Sequence, residues 1–325
     1  MRRFLHEGCY FGFSTALVWK SRYRALLVGE GSQHPGRSQA FIGAEAVRGD
    51  LTRGQLRWNY TAVHPGVYIP NGTEPTVLLN AVAAWLWTGR KGIIAGRAAA
   101  ALHGAKWVNA STPIEVIAQH GRRRSGVIVH EQRIANDEIM CVANMPVTTV
   151  SRTALDLARH LPRDSAVAHL DALAAATGVT CADAFTLAER YRGTPGIRRA
   201  RIALSLMDSG AQSPRETRLR LWLIDDGLPA PRTQIRVSDG CSEAFLDMGY
   251  DEPMVGLDYD GEHHASNRGQ YVYDIGRAEL IDRQSWVHIH VVAEHTRRFV
   301  LHRVREAFRR RGWDPPPASI SAPRL

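Results

Sequence analysis

Asp247, Asp258 and Asp260 stand on two apolar runs, "FLDMGY" and "VGLDYDG", late in the chain. Side chains alternate along a strand, so Asp258 and Asp260 share one face while Val255, Leu257 and Tyr259 share the other. A tight turn around residues 250–253 sets Asp247 roughly opposite Asp258, on the acidic face. Carboxylates gathered this closely repel, and like charges directly opposite each other weaken a sheet. Three arrangements make them tolerable: water over a solvated face, arginines paired with the acids, or a divalent cation among them. Hard oxygen donors with no nearby Cys suit Mg2+ or Mn2+. In that third arrangement Asp258→Asn removes a like charge, and the metal-free protein should be no less stable for it.

Glu216 is a fourth carboxylate with two roles open to it. Ser213-Pro214-Arg215-Glu216 reads as a capping box, with Ser at the N-cap, Pro at the first helical position and Glu at the third. The first turn of a helix packed on the acidic sheet can also point into the site. His264 follows Asp260-Gly261 at the end of the acidic strand, where it could shuttle a proton or orient a water near neutral pH. His263 points elsewhere. Arg277 lies one turn beyond Asp274, which gives an i,i+3 ion pair, or a phosphate contact if it faces the acids. His288 and His290 share a strand face with no third ligand in view and read as structural.

The elements that must hold these residues are legible from residue 213 onward as α-β-β-β-α-β-α. "SPRETRLRLWLIDDGLP" is a helix closed by Gly227 and Pro229. "TQIRVSD", "EAFLDMGY" and "PMVGLDYDG" are strands, "RGQYVYDIGRAELIDRQS" a helix, "WVHIHVVA" a strand and "HTRRFVLHRVREAFRRRG" a last helix. Upstream, residues 41–70 read as helix, turn near Gly49–Asp50, second helix capped by Asp50, and a strand pair turned at Gly66. That is the outline of a small winged helix. Residues 75–104 are Ala-rich and helical, broken at Gly89–Gly92. Strands at 114–118 and 126–131 flank "GRRRSG", expected at a hairpin tip. Amphipathic helices follow at 148–161 and over "SAVAHLDALAAATGV".

The expected fold class is α/β, divided into an N-terminal extension (1–40), a winged-helix-like region (41–72), an α/β middle domain (73–190), a basic bridge (191–212), a C-terminal domain (213–312) and a disordered tail (313–325). With 325 residues the chain is long enough for two or three such modules. Its net charge of +9 comes almost wholly from arginine, since lysine occurs only at Lys20, Lys91 and Lys106. Arginine offers a planar fork that matches phosphate, and GC-rich coding produces the same bias. The side chains expected on DNA are Arg53 and Arg57, the loop residues Arg122, Arg123 and Arg124, and Arg198 and Arg199 in the bridge. Cys9, Cys141, Cys181 and Cys241 make no C-x-x-C pair, which argues against structural zinc and a disulfide framework and fits a cytoplasmic location. No apolar run approaches the roughly 20 residues of a membrane span, and His6 and Glu7 interrupt the signal-like start.

The run from "SPRETRLRLW" through "FLDMGY", "VGLDYDGEHH", "DIGRAEL" and "WVHIHV" resembles the restriction-endonuclease-like domains related to very-short-patch-repair endonucleases. Their pattern falls here on Glu216, Gln234, Asp247, Asp258, Asp260, His264, Asp274, Arg277 and Trp286, over about the last third of the chain. The resemblance implies a metal-dependent DNA endonuclease. Asp247, Asp258 and Glu216 would hold Mg2+ or Mn2+, His264 would handle the proton, and Gln234 and Arg277 would position groups. One departure stands out: Asp260 occupies the place of the usual Lys in the acidic-x-Lys motif, and Asp258 that of the commoner Glu. Residues 41–160, with "LTRGQLRWNYTAVHPGVYIP" and "AGRAAAALHGAKW", resemble antitoxin-like proteins of abortive-infection (type IV toxin–antitoxin) systems, as joined to such a domain in actinobacteria. This second resemblance implies DNA and a cognate toxin as partners. It also supports the alternative of a non-catalytic DNA-binding regulator with a degenerate nuclease core.

Overall fold

A strand pair closed by Pro65-Gly66 and two short helices form the first unit. The computed structural model describes residues 39–119, 124–261 and 268–316. Most of the N-terminal extension, Arg122, Arg123, His263, His264 and the end of the tail therefore lie outside the described residues. In the first unit, β1 (Phe41–Ile42), α1 (Gly43–Arg48), α2 (Arg53–Asn59), β2 (Tyr60–His64) and β3 (Val67–Pro70) build a sheet of order β1-β3-β2. Gly66 takes φ +77° in the turn between β2 and β3, a conformation open to glycine without a Cβ clash. Thr52, not Asp50, caps α2. Its hydroxyl accepts from the Gln55 N–H at 3.2 Å while the Gln55 side chain accepts from the Thr52 N–H at 2.8 Å. Asp50 sits two residues too early to reach the first turn.

The second unit contains α3 (Val77–Trp87), β4 (Ile93–Ala95), α4 (Gly96–Leu102), β5 (Ile114–Ile117), β6 (Val127–His130), β7 (Ile139–Val142) and β8 (Met145–Thr148), in a sheet of order β6-β5-β4-β8-β7. β5 and β6 pair in parallel, Ile114 with Val127 through Ile117 with His130. The two strands that flank the arginine-rich stretch are therefore not a hairpin. Two short apolar runs fit either pairing, and alternation alone does not choose. Four helices follow: α5 (Val150–His160), α6 (Arg163–Thr177), α7 (Cys181–Ala188) and α8 (Ile197–Ser205). Residues 191–212 are not a plain bridge. Ile197, Ala200, Ala203 and Leu204 enter the core with Leu155, Leu170 and Leu173, while Arg198 and Arg199 stay exposed. The basic charge hid an apolar stripe at helical spacing.

The third unit follows the expected order: α9 (Pro214–Asp225), β9 (Arg232–Ser238), β10 (Glu243–Tyr250), β11 (Val255–Tyr259), α10 (Arg268–Arg283), β12 (Val287–Val291) and α11 (Arg297–Arg310). Its sheet has order β12-β11-β10-β9, antiparallel except for the parallel β11–β12 pair. On one face Met248, Leu257, Ile289 and Val291 pack with Leu219 and Leu223 of α9 and Val300, Val304 and Phe308 of α11. On the other, Ile235, Val237, Ala244 and Leu246 pack with Leu280, Ile281 and Trp286 at the end of α10. Ala244 and Leu246 thus face α10, whereas Met248 and Tyr250, at the same alternation, face α9 and α11. Strand β10 turns over at Asp247. Next to it on β9, the pairs Leu246–Ile235 and Met248–Thr233 form, and Gln234 between them takes φ +49°.

Two buried layers join the second and third units. Leu221 of α9 lies in the helical core of the second unit. Asp171 of α6, 1% exposed, accepts from Thr217 Oγ1 at 2.7 Å, Arg220 Nη2 at 2.8 Å and the Asp208 N–H at 2.7 Å. The whole is mixed α/β, and no single helix among the described residues is long and apolar enough to cross a membrane.

Candidate functional site

The turnover of β10 brings the predicted acids together by breaking the ladder. The last β10–β11 pair is Met248–Leu257, and beyond it the carboxylates replace the missing backbone partners. The Asp247 N–H donates to Asp258 Oδ1 at 2.9 Å, and the Tyr259 N–H donates to Asp247 Oδ2 at 2.7 Å. A left-handed non-glycine residue, Gln234, beside a strand turnover marks local strain held in place by its surroundings. Gln234 itself accepts at 2.9 Å from Nε2 of Gln212, the residue whose N–H donates to Glu216.

Asp258 is 3% exposed and fully engaged. Its Oδ2 accepts from Arg277 Nη2 at 2.5 Å and from His288 Nε2 at 2.6 Å. Burial raises its pKa, but the His288 hydrogen bond and the Arg277 guanidinium outweigh that and hold it below the ordinary aspartate range. The salt-bridged arrangement is therefore the one built around Asp258. Asp260 differs: it is half-exposed and accepts from His290 Nδ1 at 2.7 Å. Parallel pairing places Gly256 beside His288 and Asp258 beside His290, so both histidines lie on the acidic face. The sequence offered them as structural because strand neighbours are not visible in one dimension.

Glu216 reaches the same place from the first turn of α9. The Ser213 hydroxyl accepts from its N–H at 3.2 Å, as a cap should, but its carboxylate turns to the Gln212 N–H at 2.8 Å rather than to the Ser213 N–H. The capping box is half made. Burial, with the Asp258 charge adding to it, raises the Glu216 pKa. Burial and the Glu216 carboxylate push Asp247 up to about 7. Asp258 is thus held toward its charged form and Asp247 toward its protonated form, two neighbouring carboxyls driven apart by their surroundings. Among the described residues, Asp247 Oδ2 accepts from the Tyr259 N–H and Oδ1 accepts no hydrogen bond.

The donor chemistry fits a hard divalent ion held by Asp247 and Glu216 with Asp258 behind them. Among the described residues, however, the His and acidic side chains with ligand atoms all within 4.8 Å of one another are Glu115, His130 and His160, in the second unit. The C-terminal acids would have to draw together to share an ion. Arg277 also donates to the Phe245 carbonyl at 2.5 Å. Trp286 packs against the α10-side core, and Asp274 is exposed on the same helix as Arg277. His264 lies outside the described residues.

The engaged state of Asp258 revises the stability expected on neutralising it. Asp258→Asn should cost about 1.5–3 kcal/mol in EDTA, the usual loss for hydrogen bonds to charged groups. Urea denaturation would read it, and a variant as stable as wild type would return Asp258 to the metal-only arrangement.

The arginines expected on DNA are spread over the first two units. Arg53 and Arg57 lie exposed on α2, where Arg57 stacks 5.8 Å over the ring of Trp58. Trp58 is 75% exposed. Arg124 is exposed and lies against the first unit, donating to His64 Nδ1 at 3.4 Å and to the Val63 carbonyl at 3.2 Å. Arg198 is exposed on α8, and Arg199 donates to the Arg159 carbonyl. Arg122 and Arg123 lie outside the described residues. No protein-family model, curated protein or solved structure matches this chain.

Proposed function

We propose that the chain is a metal-dependent DNA endonuclease with a restriction-endonuclease-like C-terminal core, serving toxin–antitoxin, phage-defence or repair chemistry. The observation that carries this reading is the convergence of Glu216, Asp247 and Asp258, from three separate elements, where β10 turns over and leaves its ladder. A bound Mg2+ or Mn2+ would supply a polarised water and neutralise charge on the scissile phosphate. Asp247 and Glu216 would hold the ion. Arg277 keeps Asp258 ionised and, half-buried beside it, lies within reach of an anionic oxygen. His264 would take the proton. Exposed arginines on α2 and α8 would hold the duplex through phosphate neutralisation.

A second reading has its own support. Arg277 and His288 already balance Asp258, which is how a retained but silent core would look in an antitoxin-like DNA-binding regulator that meets a cognate toxin. Plasmid nicking separates the two. Wild type with Mg2+ or Mn2+ is expected to convert supercoiled DNA to open circles. Asp247→Asn and Glu216→Gln should lose this by about a hundredfold or more. Salt-dependent duplex binding without nicking in either metal would hand the protein to the regulator reading.

A further inference from the structure

The second unit contains a polar cluster that the sequence did not single out and the proposed nuclease does not use. Glu115 on β5 and His130 at the end of β6 share a sheet face, because the parallel register sets Glu115 beside Ile128 and Ile117 beside His130. His160, the last residue of α5, lays its ring on that of His130, with centroids 4.2 Å apart and planes 14° from parallel. Space for the carboxylate is made by Gly96. There φ is +55°, and a Cβ would lie 2.4 Å from the Glu115 carboxyl carbon. The first turn of α4 then fixes Glu115 Oε1, which accepts from the Arg97 N–H at 3.3 Å and Arg97 Nε at 3.1 Å.

What remains points inward. Glu115 Oε2 has His130 Nε2 at 3.1 Å as its partner among the described residues. His160 Nδ1 is buried with no hydrogen-bond partner. Buried polar atoms are rarely left unpaired, so an orphan nitrogen beside a carboxylate oxygen and a second imidazole calls for a ligand. The three side chains place ligand atoms within 4.8 Å of one another.

We infer that Glu115, His130 and His160 form a binding site for one divalent transition-metal ion, zinc by donor class. Two imidazoles and one carboxylate suit zinc, cobalt or nickel better than magnesium, and three protein donors leave a fourth position to water. Arg97 stays on Oε1 and orients the carboxylate from outside, as outer partners of metal ligands do. The ion replaces the His130–Glu115 hydrogen bond and gives His160 Nδ1 its partner. It ties the edge strand β6 and its neighbour β5 to the end of α5, so it braces the second unit rather than the nuclease core.

The test uses cobalt(II) alone as a spectroscopic probe on the full, tag-free chain. Wild type should bind cobalt with a visible absorption band that one equivalent of zinc displaces, and zinc should raise Tm by about 3 °C or more. His160→Gln should lose the band and at least tenfold in zinc affinity while its far-UV circular dichroism stays native; Asp247→Asn should keep both. Zinc-edge X-ray absorption on the wild type reads the ligands without any variant, with two imidazoles and oxygen donors expected. Absence of the band in wild type, an unchanged band in a folded His160→Gln, or a shell of oxygen alone would each overturn the inference.

Discussion

Arg152→Met is expected to leave the second unit unfolded or close to it. Arg152 is 0% exposed on α5. Its Nε donates to both Asp156 oxygens at 3.0 Å, and its Nη1 donates to Glu138 and, at 2.8 Å, to the Tyr191 hydroxyl. Methionine fills much of the volume but leaves two buried carboxylates, 1% and 2% exposed, with only the longer cation contacts, among the described residues, of Arg159 to Asp156 at 3.7 Å and Arg190 to Glu138 at 3.6 Å. Breaking a buried ion pair from one side costs about 3–5 kcal/mol, against a total stability of about 5–15 kcal/mol for most domains. Arg152→Lys should rescue little, because an ammonium cannot fork between Asp156 and Glu138. Neutralising the two acids as well, with Glu138→Gln and Asp156→Asn, should recover part of the loss. Urea denaturation followed by circular dichroism reads the whole series. A methionine variant within about 0.5 kcal/mol of wild type, the ordinary range of surface changes, would show that the network is ornamental.

Asp247→Asn is expected to remove a pH dependence that the wild type carries between about pH 4 and 7. Burial and the Glu216 charge raise the folded pKa of Asp247 to about 7, whereas an unfolded aspartate titrates near 3.9. A carboxyl raised in this way stabilises the fold fully below its unfolded pKa, and that contribution is lost as pH rises through 7. Three pH units at about 1.4 kcal/mol each set an upper bound of about 4 kcal/mol. Water reaching the partly exposed side chain and coupling to Glu216 reduce it. Asparagine keeps an acceptor for the Tyr259 N–H and carries no charge at any pH. The stability of the variant minus that of wild type should therefore grow by about 1–2.5 kcal/mol from pH 5 to pH 8. Histidine titrations elsewhere cancel in that difference. A flat difference across the range would mean that Asp247 titrates as in water and that the cluster has no excess charge.

The C-terminal unit was legible because its elements are short, strongly patterned and punctuated. Gly227 closes α9 at φ +82°, and β10 begins and ends where "EAFLDMGY" does. The acids that meet there were also readable, since opposed aspartates on apolar strands are hard to explain otherwise. Their partners were not. Whether Arg277 turns to Asp274 or to Asp258 depends on how α10 crosses the sheet, and whether His288 meets an acid depends on the β11–β12 register. Neither leaves a trace in local spacing. The network around Arg152 was invisible for a related reason. "TTVSRTALDLARHL" reads as an amphipathic helix with a charged outer face, yet α7, α8 and the β7 approach close over that face and bury Arg152 and Asp156. Burial is a property of what comes to cover a residue, and a single helix does not announce its cover.

The joint at Asp171 bears on how such a chain can be inherited. A C-terminal domain read from sequence as starting at residue 213 invites the picture of a module moved freely between proteins. Yet its first helix carries Thr217 and Arg220, the donors of a buried carboxylate in the preceding unit, and Leu221, part of that unit's core. Recombination at residue 213 would leave a charged hole on one descendant and an orphan guanidinium on the other. Shuffling is therefore permitted only where α6 and α9 travel together, and the heritable unit of this protein runs across the boundary that its sequence pattern draws.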